Sequence, residues 1–291
     1  RNYDGAYALH VPNPGVGGAK AAFAIGALSG TTDRTARISA THVSVPAWSQ
    51  GLLETAGANP LQIALSFDRN ATNTPDGPFA ATSFGIAPAD SDGVILPGYD
   101  LDVDNNAIND HLAVGTTDVR FGRLVMQSIY GPANRDLPVT LEAQYWDGTS
   151  PTPGFTRNTA DSCTRFLQSD FGLTFAPAPV PAAPDLVACE TAMLEANITF
   201  ASGRATLTMA KPGLANPGTV RLTANLDSAG GTYCPAIGAP GSELPATNAA
   251  KGYLRGKWDD GAAYDDKPSA SAGFGLFGSQ PKNFIFLREN Y

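Results

Sequence analysis

The stretch DLDVDNNAINDH, residues 100–111, places acidic side chains at spacings that could hold a cation. Asp100, Asp102 and Asp104 occupy every second position, and Asp110 follows a run rich in amides. Calcium takes about six to eight oxygen ligands, which carboxylates and amide carbonyls supply. The sequence therefore predicts a candidate calcium site formed by Asp100, Asp102, Asp104 and Asp110.

The same stretch also fits a strand with one face in water. A calcium-binding EF-hand is excluded because Asn105 stands where its loop needs Gly, and His111 stands where it needs Glu. With strict alternation, the side chains of Leu101 and Val103 would instead point towards a core, and those of the three aspartates would point towards water. Three carboxylates aligned on one strand face would repel one another, which favours either a bound cation or a looped path. Both interpretations remain open from the sequence.

Three cysteines, Cys163, Cys189 and Cys234, lie in the second half of the chain and lack the CxxC spacing of zinc and redox sites. In an exported protein this count favours one disulfide and one remaining thiol. The sequence leaves the partners open, and we prefer Cys163 with Cys189 because this pair closes the shorter loop. The alternative is a cytosolic protein in which all three thiols are reduced and buried.

Catalytic motifs are weak. The histidines, His10, His42 and His111, form no HExxH pair, and no serine stands in a GxSxG turn. The acidic pairs Asp259–Asp260 and Asp265–Asp266 could serve a glycosidase, but adjacent aspartates in Gly-rich turns are more often turn formers. We therefore expect no catalytic residues and no enzyme.

Aromatic residues offer a candidate surface for sugars, because aromatic faces stack on the C–H groups of sugar rings. The four candidates are Tyr145, Trp146, Trp258 and Tyr264. In the run TLEAQYW, alternation puts Tyr145 on the same strand face as Leu141 and Ala143 and puts Trp146 on the other. A role in the core or at a sheet edge is therefore the favoured interpretation.

Composition sets the class of fold. Hydrophobic residues make up 43% of the 291-residue chain, charged residues make up 16%, and the chain has 31 Gly and 23 Pro. This balance supports buried cores and many short strands joined by turns. The net charge of −8 disfavours nucleic acid as a partner, because phosphate contacts need clustered Lys and Arg. No apolar stretch reaches the roughly 20 residues that span a bilayer.

Alternating runs such as ARISATHVSV and PVTLEAQYWDG, bounded by turn residues, predict antiparallel strands. We predict an all-β protein of two immunoglobulin-like antiparallel β-sandwich domains with long loops, residues 1–117 and 118–291. A Pro-rich insertion around residues 175–186 would run as an extended loop in the second domain. The sequence predicts a hairpin that turns at residues 201–203, and GYLRGKW and the closing NFIFLRENY also read as strands.

Several motifs together resemble one bacterial family. They are RFGRL (Arg120–Leu124), QYW (Gln144–Trp146), NTADSCT (Asn158–Thr164) and the closing FIFLRENY (Phe284–Tyr291). In this combination the chain resembles the C-terminal domain of unknown function of MshQ-type proteins, which belong to the MSHA type IV pilus biogenesis system. The likeness extends over most of the chain, and QYW with DSCT is its most specific part.

The resemblance implies a noncatalytic, exported structural or adhesive protein of a Gram-negative bacterium, extracellular at the cell surface or on a pilus. Its partners would be pilus or surface subunits, and exposed edge strands could join them by β-augmentation. The family brings no active site to carry over. The alternative function is a carbohydrate-binding module, with calcium assisting, and an exported glycoside hydrolase is the third.

Overall fold

The computed structural model describes residues 23–44, 62–88, 97–149, 151–176, 186–214, 216–226, 230–241 and 249–275. Within these ranges the chain forms strands and three short 3₁₀ helices, none longer than six residues. Most of the strand pairs are antiparallel. The prediction of an all-β fold with antiparallel sheets is confirmed.

The chain divides into two compact units. One contains residues 1–121 with 148–151, and the other contains residues 122–147 with 152–291. The predicted division into domains of residues 1–117 and 118–291 stays a prediction.

The first unit contains a four-stranded sheet and a two-stranded sheet among its described residues. Its strands are β1 (Phe23–Ser29), β2 (Thr32–Asp33), β3 (Ile38–Ser44), β4 (Gln62–Phe67), β5 (Phe79–Pro88) and β6 (Leu112–Val119). The larger sheet has the order β2-β1-β5-β6 and is antiparallel throughout, and β3 pairs with β4. A 3₁₀ turn at Thr35–Arg37 leads into β3.

A loop of residues 97–111 closes over the sheet of the first unit, at two positions where glycines leave room for it. A side-chain carbon on Gly26 would lie 2.7 Å from a Val103 methyl, and one on Gly85 would lie 2.8 Å from Leu101. Val103 is 3% exposed and Leu101 is 8% exposed. Leu101 and Val103 therefore do point inward, as the alternation predicts, whereas Ile108 in the same loop is 68% exposed.

The second unit has two larger sheets. Its described strands are β7 (Gly122–Met126), β8 (Ile129–Gly131), β9 (Leu137–Asp147), β10 (Gly154–Arg157), β11 (Arg165–Leu167), β12 (Phe171–Ala176), β13 (Asn197–Thr199), β14 (Arg204–Met209), β15 (Gly218–Ala224) and β16 (Ser269–Phe274). In one sheet, β9 pairs antiparallel with β7, β10 and β14. The other has the order β12-β15-β16-β8, and β11 pairs with β13 apart from both.

Both sheets of the second unit contribute to one hydrophobic core. In β9, Leu137, Val139, Leu141 and Ala143 are all buried, as alternation on a half-buried strand requires. Leu222 of β15 is also fully buried in this core. Burying one such leucine side chain contributes about 2 kcal/mol before the entropy of folding is subtracted. The even-numbered side chains of β9 consequently lie on the opposite face of the sheet.

Some predicted elements differ from the structure. GYLRGKW forms no strand, and its first part belongs to a 3₁₀ helix, Ala249–Leu254. β8 joins β16 in parallel, although consecutive antiparallel strands were expected. Phe175 and Ala176 finish β12, so they are not part of a loop. Residues 177–185 of the Pro-rich segment and the closing NFIFLRENY lie outside the described residues.

Candidate functional site

In the acidic stretch, the side chains of the aspartates bind the backbone of their own loop. Asp102 accepts hydrogen bonds from the backbone N–H groups of Asn106, at 3.1 Å, and Ala107, at 2.7 Å. Asp104 accepts two hydrogen bonds from Asn106, one from its backbone and one from its side-chain amide. These bonds wrap residues 102–107 into a turn, in which Asn105 and Ala107 adopt positive φ angles of 56° and 70°.

The two outer aspartates tie this loop to its ends. Asp100 accepts a hydrogen bond from the backbone N–H of Ala113, at 2.8 Å. Asp110 accepts one from Val103, at 3.0 Å, and its Oδ1 lies 2.8 Å from Nδ1 of His111. Burial alone would raise the pKa of Asp110, but these hydrogen bonds and the His111 charge hold it below its ordinary value.

The four aspartates, Asp100, Asp102, Asp104 and Asp110, do not converge on a common point. No group of three or more His, Cys, Asp or Glu side chains arranged to hold a metal ion occurs in the described residues. The carboxylate oxygens of the four aspartates instead accept hydrogen bonds from N–H groups that the looped path would leave without partners. The calcium site stays a prediction, and this geometry gives it no support.

The disulfide joins Cys189 to Cys234, with an S–S distance of 2.04 Å. The preferred pairing of Cys163 with Cys189 is therefore wrong. Both bonded cysteines are buried in the core, whereas Cys163 is exposed. Cys234 reaches the core because the backbones of Leu173 and Thr232 exchange hydrogen bonds, which brings residues 230–241 against β12. Loop length did not decide the disulfide partner of Cys189, because the contact of residues 230–241 with β12 depends on the tertiary fold.

Cys163 belongs instead to a turn centred on Asp161. The buried Asp161 carboxylate accepts hydrogen bonds from the backbone N–H groups of Cys163 and Thr164. Its carbonyl oxygen accepts a third from Gly203, at 2.7 Å, in the predicted hairpin turn at residues 201–203. Gly203 has a φ of 76°, and a side-chain carbon there would lie 2.4 Å from the Asn158 carbonyl oxygen. The NTADSCT motif thus holds the turn between β13 and β14.

The outward face of the β9 sheet carries a chain of polar side chains. Arg123 of β7 donates from Nε to Gln144 Oε1 at 2.9 Å, and Gln144 donates from Nε2 to Glu142 Oε1 at 2.8 Å. Arg204 of β14 donates from Nε to the other oxygen of Glu142, at 2.9 Å. Three neighbouring strands supply these four residues, which only the strand pairing brings together.

Glu142 is the one acid in this row of hydrogen-bonded polar side chains. Its side chain is 12% exposed, whereas that of Arg204 is 56% exposed. Burial alone would raise the pKa of Glu142, but the hydrogen bonds from Gln144 and Arg204, together with the charges of Arg204 and Arg157, lower it below its ordinary value. Glu142 is therefore held as a carboxylate that is already paired.

Arg123 also lies over two aromatic rings. Its guanidinium carbon lies 3.8 Å from the ring centroid of Phe155 and 5.2 Å from that of Trp258. Phe155 in turn contacts Trp146, at 5.4 Å between centroids, and Tyr264, at 5.6 Å. We call Arg123 with these four rings the arginine–aromatic cluster. Such contacts favour the planar guanidinium over an ammonium group.

A loop of residues 256–266 carries two of the rings to the sheet. Its ends are joined by two backbone hydrogen bonds between Gly256 and Asp266. The Asp266 carboxylate accepts further hydrogen bonds from the N–H groups of Trp258, at 2.7 Å, and Asp259, at 3.1 Å. Trp258, which is 41% exposed, is therefore presented from a braced loop.

One member of each acidic pair in this loop, Asp259 and Asp266, accepts hydrogen bonds from backbone N–H groups of the loop, as turn residues do. The Asp259 carboxylate accepts a hydrogen bond from the Gly261 N–H at 2.7 Å, and Asp266 braces the loop as described. Asp260 and Asp265 are exposed. A glycosidase places two carboxyl groups on either side of one bond, which these turn contacts do not favour. The absence of an enzyme activity stays a prediction.

The structure brings together three of the four aromatic candidates, namely Trp146, Trp258 and Tyr264. Tyr145 lies on the other strand face, as the alternation of TLEAQYW predicts. Sequence reasoning missed Arg123 and Phe155, although RFGRL was recognised as a motif. The missing information was register, because Phe155 faces Trp146 only through the pairing of β10 with β9.

None of the helices among the described residues has the length and hydrophobicity that crossing a membrane requires. Residues 120–290 match the family model described as DUF6701, fourth domain. The match covers more than half of the chain, includes all the strands from β7 to β16 and begins at the first residue of RFGRL. No curated protein matches the chain, and no solved structure does.

Proposed function

This chain belongs to the DUF6701 family, and on that premise we propose that it is a noncatalytic structural or adhesive protein, exported to the surface of a Gram-negative bacterium and associated with an MSHA-like type IV pilus. The likeness of its motifs to MshQ-type proteins supports the pilus association. The buried disulfide between Cys189 and Cys234 supports export, because disulfides persist in oxidising compartments.

An immunoglobulin-like β-sandwich is the architecture that we propose for each unit. In the second unit, two sheets share one core, which is the arrangement that such sandwiches have. In the first unit, the antiparallel order β2-β1-β5-β6 supplies one sheet of the expected pair. Assemblies of surface subunits commonly add strands at the edges of such sheets.

The observation that carries the assembly role is β6, at the end of the β2-β1-β5-β6 order. Six of its eight residues are exposed, and Val114 is 55% exposed. Its sequence, LAVGTTDV, has no Lys, Arg or Pro, which are residues that proteins use to protect a sheet edge. Val114 is the extra residue where the register with β5 shifts, so a strand of another subunit would meet few obstacles along the regular part of β6, residues 115–117.

The test is where the native protein is found and what keeps it there. Sheared type IV pili should contain the chain, and the double variant Val114→Lys with Thr116→Lys should abolish this co-purification, since two charges protect the edge. Ile237→Lys is the matched control, because Ile237 is 53% exposed in a loop of the other unit. A wild-type chain confined to the cytosol would refute export. Equal recovery of the double variant with pili would refute the role of β6.

A carbohydrate-binding module is the second candidate. The observation that favours it is the exposed Trp258 beside the Arg123 guanidinium, which also lies over Phe155. Saturable binding on a glycan array, lost in Trp258→Ala, would support this function. The array should be run with and without a calcium chelator, which tests the calcium assistance separately.

A further inference from the structure

Arg123 is a half-buried cation that lacks a carboxylate partner among the described residues. Within the described part of the chain its guanidinium donates one hydrogen bond, from Nε to the neutral side chain of Gln144. The ion pairs of the described residues do not include it. Burial lowers the pKa of Arg123, and a nearby Tyr264 raises it by less. A desolvated guanidinium gains most from an anion that binds at its two remaining nitrogens.

On the outward face of the β9 sheet arginines outnumber acids, although the chain as a whole is acidic and the neighbouring loop of residues 256–266 adds four aspartates. Arg123, Arg157 and Arg204 lie on the outward face of the β9 sheet, and Glu142 is the acid at their centre. Glu142 is engaged by Arg204 and Gln144, so it does not neutralise Arg123. The net charge of the chain is −8. An anion that reaches this face therefore meets three guanidinium groups and one acid that is already paired.

The rings beside Arg123 define what kind of anion fits. Trp258 is 41% exposed and lies 5.2 Å from the guanidinium carbon, so one face of a flat ligand could rest on an aromatic ring while its charged group reaches Arg123. Asp266 holds the backbone of Trp258 in place, which reduces the entropy lost on binding. A simple inorganic anion would leave the aromatic surface unused.

We infer that the arginine–aromatic cluster binds a carboxylated saccharide, in which the sugar carboxylate pairs with Arg123 and the sugar ring stacks on Trp258. The planar guanidinium can hold a carboxylate through two parallel hydrogen bonds. The ligand class is thus an acidic polysaccharide built from uronic acids.

An acidic peptide is the less suitable occupant of this face. Extended peptides gain much of their affinity from backbone hydrogen bonds along a sheet edge. β9 is already paired with β7, β10 and β14, so its backbone is committed within the sheet. A saccharide needs only side-chain partners and a ring to stack on, which the cluster supplies.

This inference deepens the proposed surface function and rests on it, because such a polymer would be met outside the cell. The binding measurement itself needs only the purified chain. Absence of binding would therefore refute the inference alone, whereas a cytosolic location would refute the proposed function and leave the measured affinity unexplained.

The experiment is calorimetric titration of the complete chain with short galacturonic acid oligomers, compared with neutral galactose oligomers of similar length. We expect binding of the acidic oligomers, weakened by added salt, and no measurable binding of the neutral ones. Arg123→Gln and Trp258→Ala should each weaken the affinity at least about tenfold. Arg123→Lys, which keeps the charge but not the planar fork, should lie between wild type and Arg123→Gln.

Controls separate recognition from unfolding. Arg221→Gln and Tyr130→Ala change an exposed arginine and a 54% exposed tyrosine in the other sheet, and both should bind as the wild type does. Each variant should keep a cooperative thermal transition. Equal affinity for neutral and acidic oligomers, or equal affinity for a glutamate hexapeptide, would overturn the inference. So would unchanged affinity in a folded Trp258→Ala chain.

Discussion

The acidic loop of residues 100–111 and the outward face of the β9 sheet both concentrate charge, but they use it differently. In the loop, the aspartates accept hydrogen bonds from backbone N–H groups a few residues away, so the charge stabilises a local path. On the sheet face, side chains from three strands meet, and the Arg123 guanidinium has a neutral partner. A dense run of charge can thus stabilise a local loop, whereas charges distant in the sequence can meet on one sheet face.

The largest effect should be in the free energy of unfolding that is lost when a buried apolar residue of each region is truncated. Leu124→Ala, under the sheet face, should lower the free energy of unfolding by about 3 kcal/mol, because a fully buried leucine leaves a cavity. Val103→Ala, in the loop itself, should cost about 2 kcal/mol, since two carbons instead of three are removed. Urea denaturation followed by circular dichroism measures both values. Equal losses would mean that the loop is as much a part of a core as the sheet is.

Removing the central acid of each region should have a smaller effect. Glu142→Ala should cost about 2 kcal/mol, because it leaves Arg204 and Gln144 without their shared partner. Asp102→Ala should cost about 1 kcal/mol, because the two N–H groups that it frees can turn to water. Glu142→Gln is the matched control of similar volume. If the Asp102 variant proves the less stable, the contrast between the two regions fails.

The two regions should also contribute to acid sensitivity. A carboxyl group whose pKa is lower in the folded chain adds stability above its unfolded value, and this stability is lost as the pH falls through the folded value. For Glu142 the loss begins near the ordinary value of 4.5, and for Asp110 near 3.8.

Melting temperatures measured between about pH 6 and pH 3 test these contributions. Glu142→Gln and Asp110→Asn should each flatten the pH dependence. The change should be larger for Glu142, whose side chain is 12% exposed, than for Asp110, at 34%. A profile that keeps its full slope in both variants would show that other carboxyl groups are responsible.

The smallest effect concerns calcium. Because the loop carboxylates already accept backbone hydrogen bonds, we expect the melting temperature to be the same in calcium and in a chelator. Asp102→Ala serves as the comparison. An increase in the melting temperature with calcium in the wild type, absent from this variant, would revive the calcium site and make the two regions more alike.

Many strands were predictable from the sequence, because alternation and turn residues are local signals. β3 and β9 match the runs ARISATHVSV and PVTLEAQYWDG, and the turn at residues 201–203 is confirmed. The parallel pairing of β8 with β16 was not predictable. It depends on residues more than a hundred positions apart, and nothing in either run specifies the partner.

The candidate site also has features that were predictable from the sequence and features that were not. Alternation in TLEAQYW correctly put Trp146 and Tyr145 on opposite strand faces, but it could not reveal that Arg123 lies against Phe155. The disulfide shows the same limit, since Cys189 pairs across a separation of 45 residues with Cys234 rather than with the nearer Cys163.

The sequence by itself determined the all-β class, the inward and outward faces of β9, and the direction of Leu101 and Val103, because each depends on neighbours along the chain. Only the tertiary structure decided the strand register, the disulfide partner and the meeting of Arg123 with Trp258. The physical reason is that packing selects these contacts among distant residues whose local patterns would permit several partners.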